Sequence, residues 1–150
     1  MARILSAAAI VGAGTLGAIS FAGPTNAAVG TIKCTKLTGN INTTITLSGC
    51  NGNTGGASLP ISSINLATGG PIPWVNGQST TVTLSASNGE TDSDLAGTCA
   101  STATEFEAVG TVTADTTGSA IVGGKVKAEA CENPTTGKIT LEPGTALKLK

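Results

Sequence analysis

Residues 47–56 read LSGCNGNTGG, and the role of the cysteine in this stretch largely fixes what kind of protein the chain is. A strand-like run ends near Leu47, a cysteine follows at Cys50, and a loop of glycine and asparagine comes directly after it. Cys50 has four interpretations: a lipid anchor, a metal ligand, a reactive thiol or half of a disulfide. The choice between them depends on the compartment in which the chain folds.

The start of the chain has the order of segments found in a secretory signal peptide. Arg3 is followed by residues 4–22, which are free of charge and rich in alanine and glycine, and a Gly-Pro pair then interrupts any helix. Small residues at Ala27 and Ala28 mark the cleavage site. An uncleaved membrane anchor is the rival interpretation, but the run is weakly hydrophobic and no basic cluster follows it. We predict that residues 1–27 are removed and that 28–150 form one exported domain with no membrane span.

The composition of this predicted mature region excludes some classes of partner and limits the core. It carries seven lysines against nine acidic residues, since Arg3 lies in the signal, and its aromatic residues are Trp74 and Phe106 alone. Without a basic stripe or rings on which bases could stack, we expect no nucleic-acid binding. Aromatic side chains bury ~150–250 Å² each, so the core is thin and favours covalent stabilisation.

The four cysteines, Cys34, Cys50, Cys99 and Cys131, are best explained as two disulfides. The sequence before Cys50 resembles a lipobox but does not directly follow the apolar signal run. A zinc site is disfavoured because the chain has no histidine and no CxxC pair. A thiol nucleophile would also need a histidine partner. Exported domains favour disulfides, so we predict neither a metal nor a cofactor.

Sequence alone allows three pairings of four cysteines, and strand geometry favours one of them. The turn signal Thr38-Gly39-Asn40-Ile41 would set Cys34 opposite Ile45. A straight hairpin then leaves Cys50 five positions past Cys34, about 16 Å away, whereas a disulfide tolerates at most ~7 Å between Cα atoms. Either Cys50 therefore pairs elsewhere, or the strand stops at Leu47 and the chain turns back. We favour Cys34–Cys50 with that inward turn, which the glycines around Cys50 permit. The other pair is then Cys99–Cys131.

A second hairpin supports the pairing of Cys99 with Cys131. Two alternating runs, Thr104–Ala114 and Ser119–Cys131, flank a polar turn. One register sets Phe106 opposite Val126 and Glu105 opposite Lys127, and brings Cys131 within two residues of Cys99.

Further strands complete an all-β fold. A three-residue loop, Val75–Gly77 with Gly77 left-handed, would place Trp74 and Val82 on one face. We expect Lys138–Leu141 and Thr145–Lys150 to pair with each other and close the sheet. Eight or nine short strands predict an antiparallel β-sandwich or a partly open barrel stapled by two disulfides.

Enzyme chemistry has little support in the sequence. The absence of histidine excludes Ser-His-Asp and Cys-His machinery. A glycosidase would need two carboxylates across a sugar. The candidates are Glu90, Asp92, Asp94, Glu105, Glu107, Glu129 and Glu142. Most of them fall on outward strand positions or in a loop. The alternating acids of residues 88–99 lack the glycine and the final glutamate of a calcium loop. We therefore predict no catalytic residues.

Four further motifs stand out: CTKLTG (34–39), TLSGC (46–50), GTVTAD (110–115) and LEPGT (141–145). Together they resemble the motifs of uncharacterised small secreted proteins of mycobacteria and related actinobacteria. The resemblance implies export, two disulfides and a β fold, and it carries over no catalytic residue. We expect a non-catalytic binding or structural protein, secreted or associated with the cell wall, whose candidate partners are a cell-wall glycan or another envelope protein. The alternative is a carbohydrate-binding module that uses the edge around Trp74, because sugar platforms use aromatic faces.

Overall fold

The computed structural model describes residues 30–62, 68–88 and 99–150, and for 86–88 it describes the backbone alone. Eight strands form within these ranges: β1 Ile32–Asn40, β2 Ile45–Cys50, β3 Gly70–Pro73, β4 Ser79–Asn88, β5 Thr104–Asp115, β6 Lys125–Glu132, β7 Lys138–Leu141 and β8 Leu147–Leu149. None of the described segments is a helix that could cross a membrane. The prediction of an all-β, antiparallel fold is confirmed. The proposed signal peptide, with Ala27 and Ala28, lies outside the described residues.

The sheet is closed by a short segment that touches both of its outer strands. Its order is β2-β1-β7-β6-β5-β4-β3, which leaves β2 and β3 at the two ends. Residues 57–61 lie between these ends: Ile61 and Ala57 form bridges to β2, and Ser58 forms a bridge to Trp74, directly after β3. Of the two predicted architectures, the chain therefore adopts the partly open barrel.

The last two strands do not pair with each other as we expected. β7 pairs with the end of β1 and with the end of β6, whereas β8 pairs with the beginning of the same two strands. Residues 142–146 separate them, so β7 and β8 form one interrupted strand between β1 and β6. The expectation was wrong because the partners of this strand are far away along the chain, and no local turn signal announces them.

The register of the first hairpin differs from the prediction by five positions, although its disulfide is the predicted one. Gly39 lies opposite Ile45, and Cys34 lies opposite Cys50. The strand continues through Asn40, whose backbone N–H donates to the Thr44 carbonyl and whose side chain accepts from the backbone N–H of Asn42. The turn therefore comes later than Gly39-Asn40. The two cysteines meet directly, and the inward turn that we expected is not needed.

The second hairpin is shifted by four positions from the predicted register. Phe106 lies opposite Ala130 rather than Val126, and Glu105 lies opposite Cys131 rather than Lys127. The connection is longer than predicted because the Asp115 carboxylate holds the backbone N–H groups of Ser119 and Ala120. An even shift keeps each side chain on its predicted face, so the set of inward residues is preserved.

The β3–β4 hairpin has the predicted three-residue loop. The backbone N–H of Trp74 donates to the Gln78 carbonyl, and Gly77 has a left-handed φ of 84°. The loop places Trp74 and Val82 inside the barrel, where they join the aliphatic core. The largest fully buried side chains of that core are Trp74, Ile32, Ile72, Ile139, Leu149, Val112 and Val126.

Candidate functional site

Both predicted disulfides are formed, one on the inner face of the barrel wall and the other on its outer face. Cys34 and Cys50 are directly opposed on β1 and β2, with 4.0 Å between their Cα atoms, and Cys34 is fully buried in the core. Cys131 follows the inward Ala130, so it faces outward, and its bond to Cys99 spans 5.6 Å between Cα atoms. One bond thus stabilises the interior and the other fixes a connection to the outer surface. Disulfides of this kind indicate an oxidising compartment.

Trp74, the candidate ligand-binding residue, is inside the core. Its exposed fraction is 0%, and its indole Nε1–H donates a hydrogen bond of 2.9 Å to the Thr80 hydroxyl, which is also fully buried. Buried indoles usually satisfy their N–H in this way. Neither face of the ring is open to solvent, so Trp74 offers no platform for a sugar.

A polar network centred on Asp115 extends from this tryptophan to the end of the barrel. The Asp115 carboxylate accepts hydrogen bonds from the hydroxyls of Thr80 at 2.6 Å and Thr117 at 2.8 Å, and from the backbone N–H groups of Ser119 and Ala120 at 3.2 Å. Desolvation by burial acts to raise the pKa of this carboxyl. The hydrogen bonds, from Thr80 and Thr117 above all, outweigh it and hold the pKa of Asp115 below its ordinary value.

The network extends to the neighbouring loops and covers that end of the barrel. The backbone N–H of Asn53 donates to the Ser119 hydroxyl, and the Asn76 side chain donates to the Asn53 carbonyl. In the sequence, Asp115 is the first residue of the polar turn between Thr104–Ala114 and Ser119–Cys131. Its role had a local signal, because aspartate in a turn commonly accepts hydrogen bonds from backbone N–H groups that follow it.

Among the described residues, the carboxylates considered for catalysis do not form an open pair. Glu107 and Glu129 are directly opposed on the outer face of β5 and β6, and the Lys127 ammonium contacts both, at 3.0 and 3.1 Å. The cation occupies the space between them, where a substrate would have to bind. Glu105 is half-buried opposite Cys131, and Glu142 is buried in the connection between β7 and β8.

Glu90, Asp92 and Asp94, the acids compared with a calcium loop, lie outside the described residues. Across the ranges that are described, no group of three His, Cys, Asp or Glu side chains could hold a metal ion.

The barrel interior contains an apolar cavity that the sequence did not reveal. The space open to the centre of a water-sized sphere is about 40 Å³, and no polar atom contributes to its surface. Its walls come from β1, β2, β3, β4, β5, β6, β7 and β8 together with Ile61, and they include Leu37, Leu84, Phe106, Ala108, Ala128, Ala130 and Leu147. Chemically, such a site can bury apolar atoms, but it supplies no group that transfers a proton or holds an ion.

The chain has no match among known proteins at the level of sequence family, curated protein or solved structure. Its similarity to small actinobacterial secreted proteins therefore stays a prediction from the four motifs.

Proposed function

We propose that this protein is an exported, non-catalytic β-barrel that acts outside the cytoplasm, in the medium or at the cell envelope, as a binding or structural protein. The observation that carries the proposal is the pair of closed disulfides, which an oxidising compartment forms and preserves. The signal-peptide pattern of residues 1–27 supports the same compartment.

The distribution of polar groups supports a binding or structural role over catalysis. The Asp115 carboxylate is held by at least four hydrogen-bond donors, and the Glu107–Glu129 pair is bridged by Lys127. Both arrangements stabilise the fold, and in the part of the chain that the structure describes they leave no carboxylate pair facing an open cleft. The carbohydrate-binding alternative requires an exposed face of Trp74. Because Trp74 is fully buried, we do not propose that alternative.

Expression of the full chain in an actinobacterial host tests this proposal. We expect the protein in the medium or the envelope fraction, beginning at residue 28 or 29 by intact mass, with no cysteine that reacts with an alkylating agent unless a reductant is added. A matched chain without residues 1–27 should stay in the cytoplasm and react at its thiols. Full-length protein found in the cytoplasm with four free thiols would refute the proposal.

A further inference from the structure

We propose that the barrel interior is a binding site for a small uncharged hydrocarbon group, held in the cavity between β5, β6 and the opposite wall. This inference rests on the proposed binding role and gives it a ligand class. A closed sheet of about eight strands has an interior that side chains can just fill or that can hold one small ligand.

Here the side chains do not fill the interior. Three inward positions on β5 and β6 are alanines, and Ala108 and Ala128 are directly opposed. Phe106 is the aromatic side chain that lines the cavity, because Trp74 packs instead against Thr80 near the polar end of the barrel. Protein cores are normally packed without voids larger than a water molecule, so an apolar space of about 40 Å³ is unusual.

The lining defines the chemistry of the occupant. A buried water needs two to four polar partners, and this cavity offers none, so water has no favourable position in it. A charged or hydrogen-bonding ligand would lose its hydration without compensation. The polar groups at this barrel's end belong to the Asp115 network and are already bonded to one another. A ligand of a few carbon atoms, or the end of an alkyl group, is the chemistry that fits.

Leu84 lines the cavity on a part of the wall that solvent partly reaches. The pairing of β3 with β4 ends at Val82, whereas β4 continues to Asn88 along β5. Leu84 comes just after the end of that pairing, lines the cavity and is only half-buried.

Methyl NMR of the purified protein, with both disulfides formed and ¹³C-labelled Ile, Leu and Val, tests the site with xenon and with ethane as probes. We expect saturable shifts at the methyls of Leu37, Leu84 and Ile139, which line the cavity, and none at the exposed Val122. In Ala128→Leu, which fills the space, binding should weaken about tenfold or more. Val122→Leu, which adds a methylene on the surface, is the matched control and should bind as the wild type does.

Two results would overturn the cavity ligand: no saturable shift in the wild type, or equal binding by wild type and Ala128→Leu. If Ala128→Leu does not fold, as judged by its methyl spectrum, Ala130→Val takes its place. The binding measurement uses purified, oxidised protein, so its failure is separate from that of the proposed function, which fails on cellular location and free thiols.

Discussion

Replacing Asp115 by asparagine is the sharpest test of how the barrel is held together. The substitution keeps the shape of the side chain but turns one acceptor oxygen into a donor. If the remaining oxygen keeps the N–H groups of Ser119 and Ala120, the new NH₂ faces the Thr80 hydroxyl, which then loses its acceptor. Thr80 is fully buried, so no solvent can replace that partner.

A buried donor left without a partner costs about 1–3 kcal/mol. Asp115 itself is only half-buried, so solvent screens its charge and the charge adds little; we expect a total decrease of about 2 kcal/mol in the free energy of unfolding at pH 7. For a domain of this size, with a urea dependence of roughly 2 kcal/mol per molar, the unfolding midpoint should fall by about 1 M urea.

Urea denaturation followed by Trp74 fluorescence measures this change where it occurs, because Trp74 is the single tryptophan of the chain and donates to Thr80.

The pH dependence of this stability difference has a definite sign. The pKa of Asp115 is lowered in the folded state, so the charged carboxylate stabilises the fold above its unfolded-state pKa. That stability is lost as the pH falls through the folded-state pKa, and the difference between wild type and variant should shrink below about pH 4.

Glu132→Gln, at a half-buried position on β6, is the matched control and should change the free energy of unfolding by less than about 0.5 kcal/mol. Our account of the network would be refuted if Asp115→Asn had the same midpoint as the wild type at pH 7. A difference that stayed constant down to pH 2 would refute the role of the charge.

Three further predictions concern the disulfide, the strand pairing and the cavity. Replacing Cys34 and Cys50 together by alanine should lower the free energy of unfolding by about 3 kcal/mol, because their bond closes a 16-residue separation. Thermal denaturation measures this decrease. A decrease below about 1 kcal/mol would contradict the chain-entropy estimate. Gly110→Ala should cost more than about 2 kcal/mol in urea denaturation, because a Cβ there would overlap the Thr83 carbonyl oxygen, and an unchanged midpoint would show that β4 and β5 can separate. Ala130→Val should raise the melting temperature, with a gain of up to about 1 kcal/mol at ~24 cal/mol per Å³ over the cavity of 40 Å³; a lower melting temperature would indicate that a valine does not fit the space.

The faces of the strands could be predicted from the sequence more securely than their registers. Phe106 and Val126 are inside the barrel as predicted, although they are not opposite each other, because alternation depends only on the period of two residues. The turn positions were wrong where a side chain holds the backbone. Asn40 and Asp115 each accept hydrogen bonds from backbone N–H groups that follow them, and these bonds move the turns by several residues.

The strand partners of β7 and β8 and the cavity could not be predicted, for different physical reasons. Thr38 pairs with Thr140, about a hundred residues away, and local preferences carry no information about such a contact. The cavity depends on which inward side chains meet across the barrel. Ala108 and Ala128 are unremarkable in their own strands and leave space only because the register places them together.

The interrupted strand between β1 and β6 has a consequence for synthesis. Until residues 138–149 have left the ribosome, the growing chain exposes two unpaired strand edges, and the barrel has no means of closing. Contacts between the first and last strands also form slowly, because the chain loses the entropy of closing a long loop before these contacts contribute any stability. A chain with this topology therefore stays unfolded until its last residues are made, and an unfolded chain is what a translocation channel would require.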